Sequence, residues 1–476
     1  MLTQNAVVDH RYDCHWAWSA PTLKVEGSSA TVDGTTWGQA VQQDVITRFI
    51  ANGTNGTAMR PGTPSGDNLT PFQMGCAESS HPASHRYSVH WTGDIFSEDL
   101  IGSVKDTIMG GIEGFKPYVH PDCTAHHNYD EPEVYIRWIQ YCSLSNVFRV
   151  HSDPFNDRRP WSFGNATGNA THDPTESIFR NFSHMRLQLL PMLASAAVKA
   201  ATDGTPLVQR LDFAFPAELD AARLDQYMFL DSMLVAPVNP FVNGTKPWTD
   251  GQTGKDPKIP GSFNRTREVW VPPGEWEDAY SGATVIGPKV VSRAAVPLSE
   301  TVLYHKRPSV AVTARKKTSG QNAATTDLTD LIIEAYPSSG AGAARADVIV
   351  NKRRLLDVAG HGAVVEMMEH AHGSVTALAH CGDSRQDRRL ITVSVTDRAP
   401  VAAQRKWLLR VHLSANEQLD QEVDSAVMQT LAPLEAGVSQ TAPVGGEGAR
   451  PSAQAGEVLE LAMGAVGSVR LCVVAA

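Results

Sequence analysis

The most informative part of this sequence is residues 86–94, which read Arg-Tyr-Ser-Val-His-Trp-Thr-Gly-Asp. An alternating apolar run stops at a Thr-Gly turn and presents one acid, Asp94. Alternation of this kind predicts a strand. In a parallel β/α barrel the carboxyl ends of the strands carry the chemistry. Asp94 is therefore the first candidate for a catalytic group.

Three further motifs follow this stretch. They are Phe-Lys-Pro-Tyr-Val-His-Pro-Asp-Cys at 115–123, Val-Tyr-Ile-Arg-Trp-Ile-Gln-Tyr at 134–141 and Phe-Arg-Val-His-Ser-Asp-Pro-Phe-Asn-Asp-Arg-Arg-Pro-Trp-Ser-Phe-Gly at 148–164. Together with residues 86–94 they resemble the second half of the catalytic barrel of glycoside hydrolase family 31, the family of α-glucosidases and α-xylosidases. The resemblance is specific over roughly residues 75–305. It implies a hydrolase of α-linked sugars that retains the anomeric configuration.

The resemblance gives roles to five residues. Asp94 takes the place of the family's general acid/base, although an acid after Thr-Gly also suits a helix cap. Asp122 matches a ligand of sugar hydroxyls, and His126 matches a histidine found in one subgroup. His151 matches a histidine that hydrogen-bonds substrate hydroxyls, for which a neutral imidazole has both a donor and an acceptor. Trp91 either faces a sugar ring or belongs to the barrel core.

The sequence differs from the family at the position of the catalytic nucleophile. A retaining glycosidase needs a second carboxyl group about 5–5.5 Å from the acid/base. The best match to the family's nucleophile motif, at residues 12–19, puts Trp18 at that position, and indole cannot attack an anomeric carbon. Asp13 is the nearest carboxylate but is out of register. Glu78 stands sixteen residues before Asp94, where the family has a substrate-binding arginine, and is either a replacement nucleophile or a remodelled residue.

Three functional interpretations follow. The first is a retaining α-glycosidase with Asp94 as acid/base. The second is a non-catalytic relative that binds carbohydrate or a partner subunit. The third is a truncated gene product. The His/Asp/Cys residues around 120–127 also suggest zinc, but their spacing matches no standard site, so we expect neither a metal nor another cofactor.

Composition limits the partners further. A net charge of −10 and a pI near 5.9 argue against nucleic acid, and no apolar run approaches the roughly 20 residues of a membrane span. Eight of the 16 asparagines lie in Asn-X-Ser/Thr sequons, which suggests a glycoprotein of the secretory pathway, although the amino terminus does not resemble a signal peptide. The sequons are at Asn52, Asn55, Asn68, Asn165, Asn169, Asn181, Asn243 and Asn264. The six cysteines give no assignable disulfide pairing.

The pattern of apolar runs, helical periodicity and turns along the sequence predicts an α/β region followed by all-β regions. Residues 1–203 alternate short apolar runs with helical patterns, and we expect helices at 36–50, 133–143 and 177–201. From residue 204 short strands and turns predominate. We therefore predict a partial TIM barrel at 1–203, a proximal β-sandwich at 204–308, a linker at 309–327 and a distal β-sandwich at 328–476. Strands of the distal region are expected at 331–336, 347–350, 390–396, 407–413 and 468–474.

The first of these regions is too short for a whole barrel. Closure takes eight strands, and residues 1–203 have room for about five. We therefore expect the carboxyl-terminal half of a TIM barrel, truncated at its amino terminus, in a fragment or in a lineage that lost half the barrel.

Overall fold

The computed structural model describes residues 22–24, 31–33, 74–76, 89–92, 95, 99–112, 118–124, 132–151, 158–161, 175–240, 265–315, 330–348, 363–370, 388–397, 406–413, 417–419, 458–463 and 466–475. The predicted helix at 36–50 lies outside these residues. No helix in the described residues is long and apolar enough to cross a membrane.

A parallel sheet forms the first part of the chain, as expected for a β/α fold. Its strands, in spatial order, are β3 (Met74–Cys76), β4 (Val89–Trp91) and β5 (Val119–His120). A parallel bridge between Cys123 and Val150 continues this arrangement. An antiparallel pair precedes the sheet, which differs from the predicted β/α alternation; it consists of β1 (Thr22–Lys24) and β2 (Thr31–Asp33).

Five α-helices occur among the described residues of this part of the chain and just after it, and the first of them packs against β5. They are α1 (Leu100–Ile112), α2 (Pro132–Ser143), α3 (Thr175–Gln188), α4 (Leu190–Asp203) and the short α5 (Leu211–Ala214). Helix α1 approaches β5 closely because Gly110 has no side chain: a Cβ there would lie 2.6 Å from the Val119 side chain. The prediction at 133–143 is confirmed by α2.

The predicted helix at 177–201 is two helices. The chain breaks at Leu189, and Pro191 occupies the first turn of α4. Proline has no backbone N–H for the preceding turn, so it is tolerated at a helix start and not in a helix interior. Helix α4 ends at Gly204, whose φ of 80° is the left-handed conformation that glycine adopts without steric cost.

A six-stranded antiparallel sheet follows. Its strands are β6 (Val208–Gln209), β7 (Tyr227–Phe229), β8 (Met233–Ala236), β9 (Arg265–Asp278), β10 (Thr284–Val296) and β11 (Val302–Arg307), in the spatial order β10-β9-β11-β8-β7-β6. Within the described part of 204–308 this is a single sheet and not the predicted sandwich. Its core contains Trp270 and Trp276, which are almost fully buried.

Two sheets make up the last part of the chain. The first has the order β12-β13-β17-β19, from β12 (Ser309–Ala314), β13 (Asp330–Tyr336), β17 (Lys406–His412) and β19 (Val458–Met463). The second has the order β14-β15-β16-β20-β18, from β14 (Gly342–Val348), β15 (Ala363–His370), β16 (Arg388–Asp397), β20 (Val466–Ala475) and β18 (Glu417–Leu419). One core takes residues from both sheets, including Val312, Leu331, Val365 and Ile391, so the two sheets are packed face to face.

Two predictions about this region were wrong. Ser309–Ala314, assigned to the linker, is strand β12 and pairs along its whole length with β13. The sandwich is also not wholly antiparallel, because β13 and β17 run parallel. Strands from distant parts of the chain meet here, and sequence alternation alone does not determine their direction.

Candidate functional site

Asp122 lies two residues beyond strand β5, at its carboxyl end. Its side chain has no exposed surface. A buried carboxylate is expensive to desolvate unless cations or hydrogen-bond donors surround it. The local environment of Asp122 therefore has to supply positive charge.

Arg149 and His151 supply the polar groups next to Asp122. A guanidinium nitrogen of Arg149 donates to Asp122 Oδ1, and His151 Nε2 lies 3.8 Å from the same oxygen. The side chains of Arg149 and His151 retain 32% and 21% of their exposure, against 0% for Asp122. The accessible groups of this cluster are therefore the arginine and the histidine, with the carboxylate behind them.

The spacing of Arg149 and His151 explains why they meet at one place. They flank Val150, which forms the parallel bridge to Cys123. In an extended chain residues i and i+2 project to the same face. The segment thus presents both side chains beside the residue that precedes Cys123, namely Asp122.

The turn after Asp122 is held in an uncommon backbone conformation. Thr124 has a φ of 72°, which is strained for a β-branched residue. Its hydroxyl donates to the His151 carbonyl at 2.9 Å, and the His151 N–H donates to the Cys123 carbonyl at 2.9 Å. The segments that carry Asp122 and His151 are therefore bonded to each other in both directions.

A disulfide joins this turn to helix α2. Cys123 and Cys142 are bonded, with their Cα atoms 6.0 Å apart, and both are fully buried. The sequence did not reveal the pair because six cysteines allow fifteen complete pairings. Arg149 was also absent from the residues singled out, although it stands in the same Arg-X-His motif as His151.

Helix α2 is anchored to the six-stranded sheet. Arg137, which is buried, donates to the carbonyls of Val296 at 2.9 Å and Glu300 at 2.7 Å. Burial lowers the pKa of Arg137 to about 10, although Glu133 opposes the shift. It thus stays charged at neutral pH, and α2 is held to the loop after β10 by charge-assisted hydrogen bonds.

A second polar cluster lies where the six-stranded sheet meets the two-sheet region. The His412 ring stacks on Tyr336 at 4.2 Å, and His305 stacks on the same tyrosine at 4.4 Å. His412 Nδ1 lies 3.5 Å from a Glu277 oxygen, and Nε2 lies 2.9 Å from a Glu334 oxygen. Both ring nitrogens of His412 are therefore engaged by protein carboxylates.

The two histidines of this junction cluster have opposite charge states near neutral pH. Burial alone would lower the pKa of His412, but hydrogen bonds and attraction from Glu277 and Glu334 raise it to about 9. Burial lowers the pKa of His305 to about 4, against a weaker opposing effect of Glu277. His412 is thus an imidazolium and His305 is neutral.

The other residues predicted for the site are not described. Asp94 and His126 lie outside the described residues, as do Glu78, Asp13 and Trp18, and only the backbone of Trp91 is described, in β4. Asp94, Asp122 and His151 each end an apolar run in a motif that matches the family, which predicts that they converge on one cleft; the structure places Asp122 and His151 together. Among the described residues there is no group of three or more His, Cys, Asp or Glu side chains placed to hold a metal ion.

Several known proteins are similar to this chain in sequence. Residues 52–196 match the profile described as "Glycosyl hydrolases family 31 TIM-barrel domain". An α-xylosidase of Emericella nidulans is 30% identical over 166 residues, which is 34% of this chain and 20% of the relative. "Alpha-glucosidase 2" of Bacillus thermoamyloliquefaciens is 25% identical over 206 residues, or 42% and 22% of the two chains. The matched part spans about a fifth of the length of these relatives.

Solved structures agree at the level of the fold. The GH31 dextranase of Flavobacterium johnsoniae, in complex with isomaltotriose, superposes with a TM-score of 0.63 at 16% identity, over 93% of this chain and 49% of the dextranase. The cycloalternan-forming enzyme of Listeria monocytogenes gives 0.55 at 18% identity, over 82% and 32%. The profile match over residues 52–196, the sequence relatives and the shared fold agree, and together they support a member of glycoside hydrolase family 31.

Proposed function

We propose that this protein hydrolyses O-glycosyl bonds of α-linked sugars by a retaining mechanism. The observation that supports this most is the Asp122–Arg149–His151 cluster at the carboxyl ends of neighbouring parallel segments, the edge where β/α barrels place their chemistry. The sequence relatives include an α-xylosidase and an α-glucosidase. α-Linked xylose or glucose is therefore the substrate class to test first.

The cluster suits the recognition of sugar hydroxyls. Arg149 offers donors only, whereas an imidazole such as that of His151 offers one donor and one acceptor in its neutral form. A hydroxyl that donates to the imidazole and accepts from the guanidinium would satisfy both groups. Asp122 holds the arginine in place and keeps its charge close to the bound sugar. Recognition by several polar groups discriminates strongly, because a sugar that lacks the hydroxyl leaves them unpaired.

Catalysis needs two more carboxyl groups. In our proposal Asp94 protonates the glycosidic oxygen as the bond to the leaving group breaks, and later deprotonates the attacking water. A second carboxylate attacks the anomeric carbon and forms the glycosyl intermediate. Its identity stays open between Glu78, Asp13 and a residue not recognised from the sequence.

A non-catalytic carbohydrate-binding role is the second candidate. It is favoured by Glu78, which stands where the family has an arginine, and by Trp18 at the expected nucleophile position. The binding groups Arg149 and His151 are retained in either case. Binding without turnover is the property that separates the two candidates.

Turnover and affinity should be measured on the same four proteins. They are the wild type, Asp94→Asn, Asp122→Asn and the control Asp347→Asn, whose carboxylate also pairs with an arginine but is 67% exposed on β14. Hydrolysis of p-nitrophenyl α-xyloside or α-glucoside that is lost in Asp94→Asn supports the enzyme. Calorimetric binding without hydrolysis, lost in Asp122→Asn, supports the non-catalytic role. A wild type that neither binds nor hydrolyses these sugars refutes both.

We also propose a division of the chain that refines the predicted domains. Residues 1–203 would form a partial, open β/α barrel, 204–308 a β region beside it, and the two-sheet region would begin at 309 with β12. Limited proteolysis should cut first between 315 and 330. Stable products that begin inside β13 would contradict this boundary.

A secretory location is the remaining proposal. It rests on the eight sequons and on the buried Cys123–Cys142 disulfide, because structural disulfides persist mainly in oxidising compartments. Endoglycosidase treatment of protein isolated from its natural source should increase gel mobility. If mass spectrometry finds all eight asparagines unmodified, the proposal is wrong.

A further inference from the structure

The Cys123–Cys142 disulfide joins the candidate site to helix α2. Cys123 directly follows Asp122 in the chain, and Cys142 lies in the last turn of α2. Both cysteines belong to one buried cluster with Leu100, Val104 and Trp138. The bond therefore runs through the core and not across the surface.

On one side, Cys123 holds both halves of the cluster. Its carbonyl accepts the His151 N–H at 2.9 Å, and it forms the parallel bridge with Val150. Its neighbour Thr124 returns a hydrogen bond to the His151 carbonyl at 2.9 Å. A displacement of Cys123 would thus move the segment of Asp122 relative to that of Arg149 and His151.

On the other side, Cys142 is part of a rigid support. The next residue toward the amino terminus, Tyr141, donates to Thr107 Oγ1 at 2.8 Å. Gln140, which precedes Tyr141, donates from Nε2 to the Leu298 carbonyl at 2.7 Å, and one turn earlier Arg137 donates to the carbonyl of Val296, the last residue of β10. Helix α2 therefore provides a fixed reference to which Cys123 is covalently joined.

The strand that precedes Asp122 is short, and its pairing among the described residues is limited. β5 has two residues, and its described pairing with β4 joins only His90 to Val119 and Trp91 to His120. Beyond it the Cys123–Val150 bridge is an isolated one, and Thr124 has an unfavourable φ of 72°. A short, strained strand end of this kind opens locally unless other contacts hold it.

From these contacts we infer that the Cys123–Cys142 disulfide is a positioning element of the Asp122–Arg149–His151 cluster, and that its reduction weakens sugar binding there. The inference rests on the proposed binding role of the cluster. Reduction by a dithiol breaks the S–S bond with two electrons and two protons, yields the two thiols and leaves the reductant as a disulfide. Binding at the cluster would thereby depend on the redox state of the compartment.

Hydrogen exchange at His151 tests the positioning without any need for activity. The His151 amide is bonded to Cys123, so its exchange reports directly on that contact. In Cys123→Val/Cys142→Ala, or in wild type treated with dithiothreitol under native conditions, we expect exchange at 148–151 to quicken on the order of tenfold, as a loss of one to two kcal/mol of local stability implies. Peptides from α1 should keep their wild-type rate.

Val104→Ala is the matched control, because Val104 is fully buried in the same core cluster. It should lower the melting temperature and leave both the exchange at His151 and the affinity for p-nitrophenyl α-xyloside or α-glucoside near wild type. The cysteine variant should lose affinity on the order of tenfold. If Val104→Ala and the cysteine variant change exchange and affinity equally for the same fall in melting temperature, the disulfide only stabilises the fold and the inference is overturned.

The two proposals fail in different ways. Oxidised wild type that binds no α-linked sugar refutes the binding role, whereas the exchange measurement still decides whether the disulfide positions the cluster. Unchanged exchange at His151 after complete reduction refutes the positioning, whatever the affinity. If the double variant does not fold, dithiothreitol treatment of folded wild type gives the same comparison.

Discussion

Two clusters of arginine, histidine and carboxylate in the described part of the chain are built in opposite ways. In the candidate site the carboxylate of Asp122 is buried, while Arg149 and His151 are partly exposed. The junction cluster also includes Arg307, which has no exposed side chain and pairs with Glu275 and Glu277. The first arrangement presents donors to the outside, and the second directs them at protein carboxylates.

This difference indicates which cluster binds a ligand and which stabilises the fold. The ring nitrogens of His412 each face a carboxylate, and Arg307 also donates to the His412 carbonyl. These contacts direct donors of His412 and Arg307 at acceptors of the protein itself. Disruption of the junction cluster should therefore reduce stability, and disruption of the candidate site should reduce affinity.

The largest effect is expected from Arg307→Met. Removal of one partner of a buried pair leaves uncompensated carboxylates, which costs about 3–5 kcal/mol of stability. Chemical denaturation followed by tryptophan fluorescence measures this change. Sugar affinity of the folded variant should stay at the wild-type value, and a fall in affinity would show that the junction cluster is coupled to binding.

Asp122→Asn should give the reverse pattern. The variant keeps the shape of the side chain but removes the charge that holds Arg149. Hydrogen bonds to charged groups contribute about 1.5–3 kcal/mol, so affinity for an α-glycoside should fall roughly 10- to 100-fold. Calorimetry measures the affinity, and Asp347→Asn is the control with a paired but exposed carboxylate. Unchanged affinity in Asp122→Asn would remove the cluster from the binding site.

The sequence predicted the elements that depend on local patterns. Helix α2 was expected because apolar residues recur at helical spacing, and it forms at Pro132–Ser143. Asp122 and His151 were expected to meet because each follows an apolar run in a barrel-like order. These predictions need only periodicity and the rule that parallel strands end at one edge.

Contacts between distant parts of the chain were not predictable in this way. The junction cluster joins Glu277 to His412, and the pairing of β12 with β13 joins segments on either side of residues 316–329. Burial and register across such separations are set by packing of whole sheets, which a single sequence does not display. The same holds for Cys123 and Cys142, whose pairing depends on how α2 lies against the strand end.

The pH dependence of stability should identify the junction cluster by its two histidines. The pKa of His305 is lowered to about 4, so below the unfolded value near 6.5 the unfolded chain binds more protons and stability falls as pH decreases toward 4. The pKa of His412 is raised to about 9, so stability is full below pH 6.5 and is lost as pH rises toward 9. Each slope is at most about 1.4 kcal/mol per pH unit.

Substitution of each histidine separates the fall in stability below pH 6.5 from the fall above pH 6.5. His412→Gln should flatten the loss of stability between pH 6.5 and 9, and His305→Gln should flatten the gain between pH 4 and 6.5. Glu277 and Glu334 have lowered pKa values despite burial, because of His412 and the arginines Arg307 and Arg410, and their contribution to stability is lost as pH falls below their unfolded value near 4.5. A profile of His412→Gln that matches wild type up to pH 9 would contradict the assigned charge states.

The smallest loss of stability is expected from Arg345→Ala, which compares an exposed arginine with the buried Arg307. Like Arg307, Arg345 faces two carboxylates, with nitrogens 2.8 Å from Asp347 and 3.1 Å from Glu366, but the three side chains are 56–67% exposed. Water screens such pairs, which typically contribute about 0–1 kcal/mol. The loss measured by denaturation should be within that range and should disappear at high salt, where exposed charges are screened over about 3 Å. Since both arginines face two carboxylates, a loss at Arg345 as large as that at Arg307 would mean that charge pairing, and not burial, sets the stability contribution of Arg307.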